Sequence, residues 1–298
     1  MIMKSDTFSI YIALAKTRLS LMLAASAFVG HSIAAQGRWN MQTLLIFTGV
    51  FLLAGGAAII NNIQDRKIDR QMDRTSKRPL PSGSVSVRQA ILLACGHFLV
   101  AVPLFCLLSH HSLAPALLGC LAIVLYNGIY TPLKPRTVWA IVPGSICGVL
   151  PLLIGWYATG GSAPVQQIVL LAMIVWMWQF PHFWLKMMSF SRDYSGRETL
   201  LAYCSPEQVD MFIVVWTVSF VILTLAAPLY GVISSAAGFT MIVVLAFFMV
   251  GLTWFVLLKN TTGGRYQWLF AALNCALFLF MMISVSDNVA ACVLNNFR

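Results

Sequence analysis

The chain has 298 residues, 59% of them hydrophobic and only 9% charged. An ordinary soluble domain carries about 25% charged residues, so the polar surface for even one such domain is missing. A nucleic-acid binder, a disordered protein and a secreted disulfide scaffold are excluded, and the class that remains is the integral membrane protein. The net charge of +10 must then be read as a matter of orientation before partners.

A helix needs about 20 apolar residues to cross the hydrocarbon core. In chain order the sequence predicts nine such stretches, near Leu19–Gln36, Leu44–Asn61, Gln89–Leu108, Leu113–Tyr130, Val138–Tyr157, Val165–Trp184, Met211–Tyr230, Gly238–Leu258 and Tyr266–Ser284. Blocks such as Met241–Leu258 show no alternation of period two, which argues against a transmembrane barrel. The expected fold is all-α, a bundle of nine transmembrane helices forming one domain over residues 1–298. Met1–Ser20 lacks a small-residue cleavage site, so the first span is expected to be retained. The seven cysteines lie scattered without C-x-x-C spacing, against zinc or a disulfide framework.

Of the 19 Lys and Arg residues, 17 fall on the side of the amino terminus and only Arg38 and Arg298 on the other. Over short loops this bias predicts a cytoplasmic amino terminus and an outer carboxyl terminus. Eight of the nine acidic residues share the basic side, and only Asp287 is expected outside. The ionisable chemistry is thus expected at the cytoplasmic face of a bacterial-type inner membrane.

The most informative stretch runs from Asn61 to Arg74. With no Gly or Pro after Ala57-Ala58-Ile59-Ile60, the helix is expected to persist until Pro79 and Pro81. Asn61, Asp65, Asp69 and Asp73 then fall at i, i+4, i+8 and i+12, on one slowly rotating face. Repelling carboxylates at a membrane mouth invite a cation, and Mg²⁺ is held by one or two carboxylates plus phosphate oxygens. The competing reading is a solvated loop with local pairs Arg66–Asp69 and Arg70–Asp73. Asn61 and Asn62 at the end of an apolar span suggest a cavity, and Arg74, Lys77 and Arg78 form a cationic cluster suited to phosphate. The carboxylates themselves are expected at a wet mouth, with little packing.

Asn61-Asn62-x-x-Asp65-x-x-x-Asp69 resembles the first aspartate-rich motif of the UbiA-type intramembrane prenyltransferases. The string through Met72, Arg74-Thr75 and Arg78-Pro79-Leu80 resembles their protoheme IX farnesyltransferase (heme O synthase) branch. Lys16-Thr17-Arg18, Tyr130–Thr137, and Trp178-Gln179-Phe180-Pro181-His182-Phe183-Trp184 with Asp193-Tyr194 agree. Thr17 stands where the family has Pro, Pro135 and Arg136 exchange order, and Arg197 occupies the place of the second Asp of the second motif, a loss usual in the heme branch.

The resemblance implies transfer of a farnesyl group from farnesyl diphosphate to a vinyl group of heme b, with Mg²⁺ as cofactor and heme as substrate. It implies Asp65, Asp69 and Asp193 as catalytic metal ligands, with Asn61 or Asn62 as neutral ligands or orienting groups. Arg74, Lys77, Arg78 and Lys134 would hold diphosphate oxygens. Tyr126, Asn127 and Tyr130 are candidates to line the cleft. Trp178 and His182 would meet the heme, His182 as axial ligand or orienting group; the other reading of His182 is an interface histidine bonded to the carbonyl freed by Pro181. Heme-modifying or terminal-oxidase assembly proteins are the expected downstream partners, and no nucleic acid is expected. The alternatives are prenylation of an aromatic acceptor such as 4-hydroxybenzoate and, in a different class, a membrane transporter.

Overall fold

The computed structural model describes residues 7–108, 112–160, 164–190, 202–258 and 264–296, and every regular element among them is helical. The helices are α1 (Thr7–Leu14), α2 (Thr17–Ala34), α3 (Met41–Asp69), α4 (Val87–Leu108), α5 (Ala114–Ile123), α6 (Ile141–Tyr157), α7 (Val165–Ser189), α8 (Pro206–Leu225), α9 (Ala236–Leu258) and α10 (Arg265–Asn296). Among the described residues eight helices are long and apolar enough to cross a membrane, and nine if α1 and α2 form one span bent by 58°. Asp193, Arg197, His110 and His111 lie outside the described residues.

Helix starts follow local chemistry. Asn40 accepts from Thr43 N while Thr43 Oγ1 accepts from Asn40 N, a reciprocal cap that opens α3. Ser205 and Gln208 repeat the device at α8, where Pro206 supplies a preset φ. The break between α1 and α2 is at Lys16, whose φ of 44° is left-handed. Such a backbone costs an L-residue of order 1 kcal/mol, and neighbours must hold it. Asn62 Nδ2 donates to Leu14 O (2.8 Å) and Lys16 Nζ to Asn61 Oδ1 (2.5 Å). Tyr11 Oη bonds His97 Nε2 (3.3 Å), with the two rings stacked.

Three expectations differ from the structure. First, α3 ends at Asp69, ten residues before Pro79. The chain then folds back through turns, which buries Met72, Thr75 and Leu80. Thr75 Oγ1 donates to the Asp69 carbonyl (2.9 Å) and Arg70 Nε to Pro81 O (3.1 Å), so side chains satisfy groups that a longer helix would have paired. Second, Asp73 is consequently off the ladder and exposed. Third, the last helix extends to Asn296 and carries Asp287 within it, buried. Its carboxylate accepts from the backbone and hydroxyls of Ser234 and Ser235 just before α9.

Two packed halves share α2 and α6. Ile46, Val50, Phe105 and Leu108 join Ile154 in one core; Ile33, Leu152, Trp156, Ile174, Phe220 and Phe280 form the larger one. Outward positions such as Leu99, Val215, Phe247 and Phe248 remain exposed and apolar, as a lipid-facing surface requires. At the α2–α6 crossing small residues let the backbones meet. A Cβ on Gly155 would stand 1.8 Å from Ala27 O, and one on Gly30 2.1 Å from Leu152 O. Gly155→Ala is therefore expected to cost about 1–3 kcal/mol by overpacking. Gly251→Ala, with nothing within 4 Å, is expected to be neutral or better. Thermal unfolding of both variants in detergent checks the contrast, and equal melting would show that this crossing can relax.

Candidate active site

The apolar run of α3 continues without a breaker into Asn61-Asn62-Ile63-Gln64-Asp65, so Asn61, Asp65 and Asp69 share its face at its carboxyl end. Asp65 and Asp69 are 5% and 4% exposed. The expectation of a wet, loosely packed mouth is thus corrected: Thr75 and Arg78 of the fold-back meet Asp69, and Asn61 and Lys134 meet Asp65. A buried carboxylate must be paired, and each finds a cation from another element. Lys134 Nζ lies 3.0 Å from Asp65 Oδ2 and Arg78 Nη1 2.9 Å from Asp69 Oδ2. The local pairs Arg66–Asp69 and Arg70–Asp73 do not form, because Arg66 donates to Ile63 O and Arg70 to Pro81 O.

The two asparagines part company. Asn61 Nδ2 donates to Asp65 Oδ2 (3.2 Å) and Thr131 Oγ1 (2.9 Å), while its Oδ1 receives Lys16. Asn62 turns to Leu14 O and fastens α1. Opposite α3, residues Val124–Tyr130 form a π-helix, a wide turn common at functional sites. It brings Asn127 against Gln64 (Gln64 Nε2 to Asn127 O 2.9 Å, Asn127 Nδ2 to Gln64 Oε1 3.3 Å) and stacks Tyr126 on Tyr130 with centroids 5.8 Å apart. Thr131 Oγ1 donates to Tyr126 O (2.8 Å), which holds the next turn and with it Lys134.

The cations outnumber these carboxylates. Lys16, Arg78, Lys134 and Lys186 are within electrostatic reach of one another, and Arg74 of Lys186. Lys16 stands in the break between α1 and α2, with Lys134 and Arg78 nearby. Arg74 is exposed, with its guanidinium 5.1 Å from the Phe190 ring centroid. Lys77 is exposed and, unlike Arg78, forms no ion pair with Asp65 or Asp69 among the described residues, so the structure joins Arg78 and Lys134 to the site most directly.

On α7, Trp178, His182 and Lys186 follow at i, i+4 and i+8, one face with about 6 Å between successive residues. Lys186 belongs to the cation cluster, and His182 lies one turn further along α7, toward its amino end. Among the described residues His182 does not bond the carbonyl freed by Pro181: its Nδ1 meets Asn274 Oδ1 on α10 (3.1 Å). Trp178 Nε1 donates to Leu273 O (3.1 Å) and its ring lies 4.4 Å from the imidazole. Phe183 approaches Tyr130 at 6.2 Å, so the two halves meet here.

Asp65 and Asp69 spend Oδ2 on these bonds, and among the described residues no hydrogen bond reaches either Oδ1. Two hard carboxylates one turn apart, each with an oxygen to spare, fit a Mg²⁺ that completes its shell with phosphate oxygens and water. Among the described residues no third acidic, His or Cys side chain joins them; Asp193 lies outside those residues.

Sequence reasoning on the site singled out neither Lys186 nor Asn274. Lys186 was legible as the residue one turn beyond His182, and Asn274 as an isolated amide inside the apolar Tyr266–Ser284 run, where a polar side chain is costly.

The UbiA prenyltransferase family signature matches residues 23–279. Protoheme IX farnesyltransferase of Geobacter sulfurreducens is 37% identical over 183 residues, covering 61% of this chain and 66% of that one. The enzyme of the same name from Oleidesulfovibrio alaskensis is 29% identical over 282 residues, 93% of this chain and 95% of its own length. A solved digeranylgeranylglyceryl phosphate synthase shares the fold with a TM-score of 0.75 at 15% identity, over 96% of this chain and 100% of that one. A UbiA homologue from Archaeoglobus fulgidus, solved with GPP and Mg²⁺, superposes with a TM-score of 0.67 at 16% identity, over 95% and 100% of the two chains. With most of its length matched and its carboxylates and cations gathered at one mouth, the chain belongs to the UbiA prenyltransferase family.

Proposed function

We propose that this chain transfers the farnesyl group of farnesyl diphosphate to a vinyl group of heme b, giving heme O and diphosphate, as one prenyltransferase domain. The observation that carries the reading is the shared face of α7: Lys186 stands in the cation cluster and His182 one turn away, so a diphosphate and a metalloporphyrin can be held side by side. The relatives named protoheme IX farnesyltransferase support the acceptor. The charge bias of the loops supports a cytoplasmic mouth in an inner membrane, with the amino terminus cytoplasmic and the carboxyl terminus outside.

Asp65 and Asp69 are assigned to Mg²⁺ and Asn61 to orienting them; Asn62 is assigned to fastening α1. Asp193 is the expected ligand from the other half of the bundle. Arg78 and Lys134 hold diphosphate oxygens, with Arg74 and Lys77 on the outer side. When bound, Mg²⁺ supplies charge neutralisation on the departing diphosphate. The allylic C1–O bond breaks with its electron pair leaving on the diphosphate, where Arg78 and Lys134 stabilise the developing charge. The vinyl group of the heme attacks C1, and the carbon left electron-deficient takes up water and loses a proton. Heme-modifying and terminal-oxidase assembly proteins are the proposed downstream partners.

Pigment analysis of membranes with and without the protein tests the reaction: a heme heavier by one farnesyl group and one hydroxyl group is expected. Prenylated 4-hydroxybenzoate with unmodified heme would replace this reading by the aromatic-acceptor one.

Asp65→Asn and Asp69→Asn are expected to abolish turnover. Because both side chains are buried and paired, each is also expected to lower the melting temperature more than Asp73→Asn, whose side chain is exposed. Turnover assays and thermal unfolding on the three variants check both halves of the statement.

Arg78→Ala is expected to remove a charged phosphate contact worth about 1.5–3 kcal/mol, and so to weaken farnesyl diphosphate binding roughly 10- to 150-fold with heme binding kept. His182→Ala is expected to do the reverse. Separate titrations of each ligand decide, and parallel loss of both ligands in both variants would sink the division of roles.

A further inference from the structure

We propose that Asn274 is a positioning residue that fixes His182 in the tautomer and orientation needed to ligate the iron of the porphyrin acceptor through Nε2. The inference rests on the reading that His182 faces heme.

The amide of Asn274 has only one way round. Its Nδ2 donates to Phe270 O one turn back on α10 (2.5 Å), which leaves Oδ1 facing His182 Nδ1 at 3.1 Å. Oδ1 is an acceptor only, so Nδ1 must carry the imidazole proton, and Nε2 is left as a bare lone pair. Among the described residues Nε2 has no hydrogen-bond partner, and His182 keeps part of its surface open.

The ring is also held in place. The Trp178 ring lies 4.4 Å away and the Phe270 ring 4.8 Å, both tilted by 42°. Trp178 is tied in turn to Leu273 O, beside Asn274 on the same helix. A histidine bonded through Nδ1–H, braced by aromatic rings and open at Nε2 has the arrangement of a metal ligand with its supporting partner, which sets ring direction and ligand basicity. A histidine with only a packing role would not need its tautomer fixed by an amide across a helix interface in a site that also holds Lys186. The polar cost of Asn274 inside an apolar span then has a purpose.

The test is a titration of the full-length protein in detergent with ferric heme b, read by affinity and by the Soret band, with farnesyl diphosphate binding measured in parallel. His182→Ala is expected to lose the histidine-ligated spectrum. Asn274→Leu is expected to weaken heme binding about 10- to 100-fold, the usual cost of losing a ligand's supporting partner, and to move the Soret band toward that of His182→Ala. Asn274→Asp, which keeps an oxygen facing Nδ1, is expected to retain the histidine-ligated spectrum. Farnesyl diphosphate binding should stay unchanged in all three, which also reports that they fold.

A wild-type spectrum and affinity in Asn274→Leu, beside their loss in His182→Ala, would overturn the positioning role and leave the heme reading standing. A wild-type spectrum in His182→Ala would overturn the heme assignment itself. Equal loss in Asn274→Leu and Asn274→Asp, with farnesyl diphosphate binding kept, would show that the acceptor oxygen is not what matters and would equally reject the proposal.

Discussion

Two carboxylates held out of water at the end of a membrane helix dictate much of what surrounds them. Removing an ion from water costs several kcal/mol even after relaxation, and an opposite charge must be brought close to offset it. Asp65 and Asp69 do not find that charge on α3 or just past it, where Arg66 and Arg70 are engaged by backbone carbonyls. The partners come from far along the chain: Arg78 by the fold-back after α3, and Lys134 from the turn after the π-helix. Both segments are therefore shaped by an electrostatic requirement at one spot.

Each delivery has its own mechanical solution. The fold-back buries Met72 and Leu80 and uses Thr75 to satisfy the carbonyl of Asp69. Apolar burial and a capped helix end thus offset the backbone bonds lost by stopping α3 early. The π-helix widens one turn enough for Asn127 to reach both Ala57 O and Gln64 on α3, and Thr131 then links that turn to Asn61 and back to Tyr126. Lys134 follows one turn later with its position already determined. At the amino end, the left-handed Lys16 is held by Asn61, and Asn62 holds the helix before it. Adjacent asparagines thus serve two different joints.

The spans were legible because each is long and apolar, and the aspartate motif was legible because a helix with no breaker puts i, i+4 and i+8 on one face. The end of α3 was not. Nothing between Asp69 and Pro79 signals a stop; the helix ends because Met72, Thr75 and Leu80 gain more by folding under α3 than by continuing it, a tertiary effect that pattern reading does not contain. The burial of Asp69 follows from the same fold-back, and that of Asp65 from Lys134 brought in by the turn after the π-helix, so neither was visible in the pattern of α3. Asp287 was expected on the outer side, past a last span ending at Ser284; the structure continues α10 through it and buries it against the backbone and hydroxyls of Ser234 and Ser235. Asn274 shows the opposite failure: one amide in an apolar run carries too little pattern to announce its partner ninety-two residues away.

The charge balance at the mouth bears on how the site works. Among the described residues, Lys16, Arg78, Lys134 and Lys186 stand within reach of one another, against the two carboxylates of α3. Such an excess in a poorly hydrated place is unfavourable until an anion arrives, and it focuses the field on that anion. On the function proposed above, a diphosphate would relieve it: Arg78 and Lys134 would turn from carboxylate to phosphate oxygens, and Asp65 and Asp69 would be left to hold a cation. The ion pairs of the folded chain and the proposed binding of a metal-bound diphosphate then use the same four side chains.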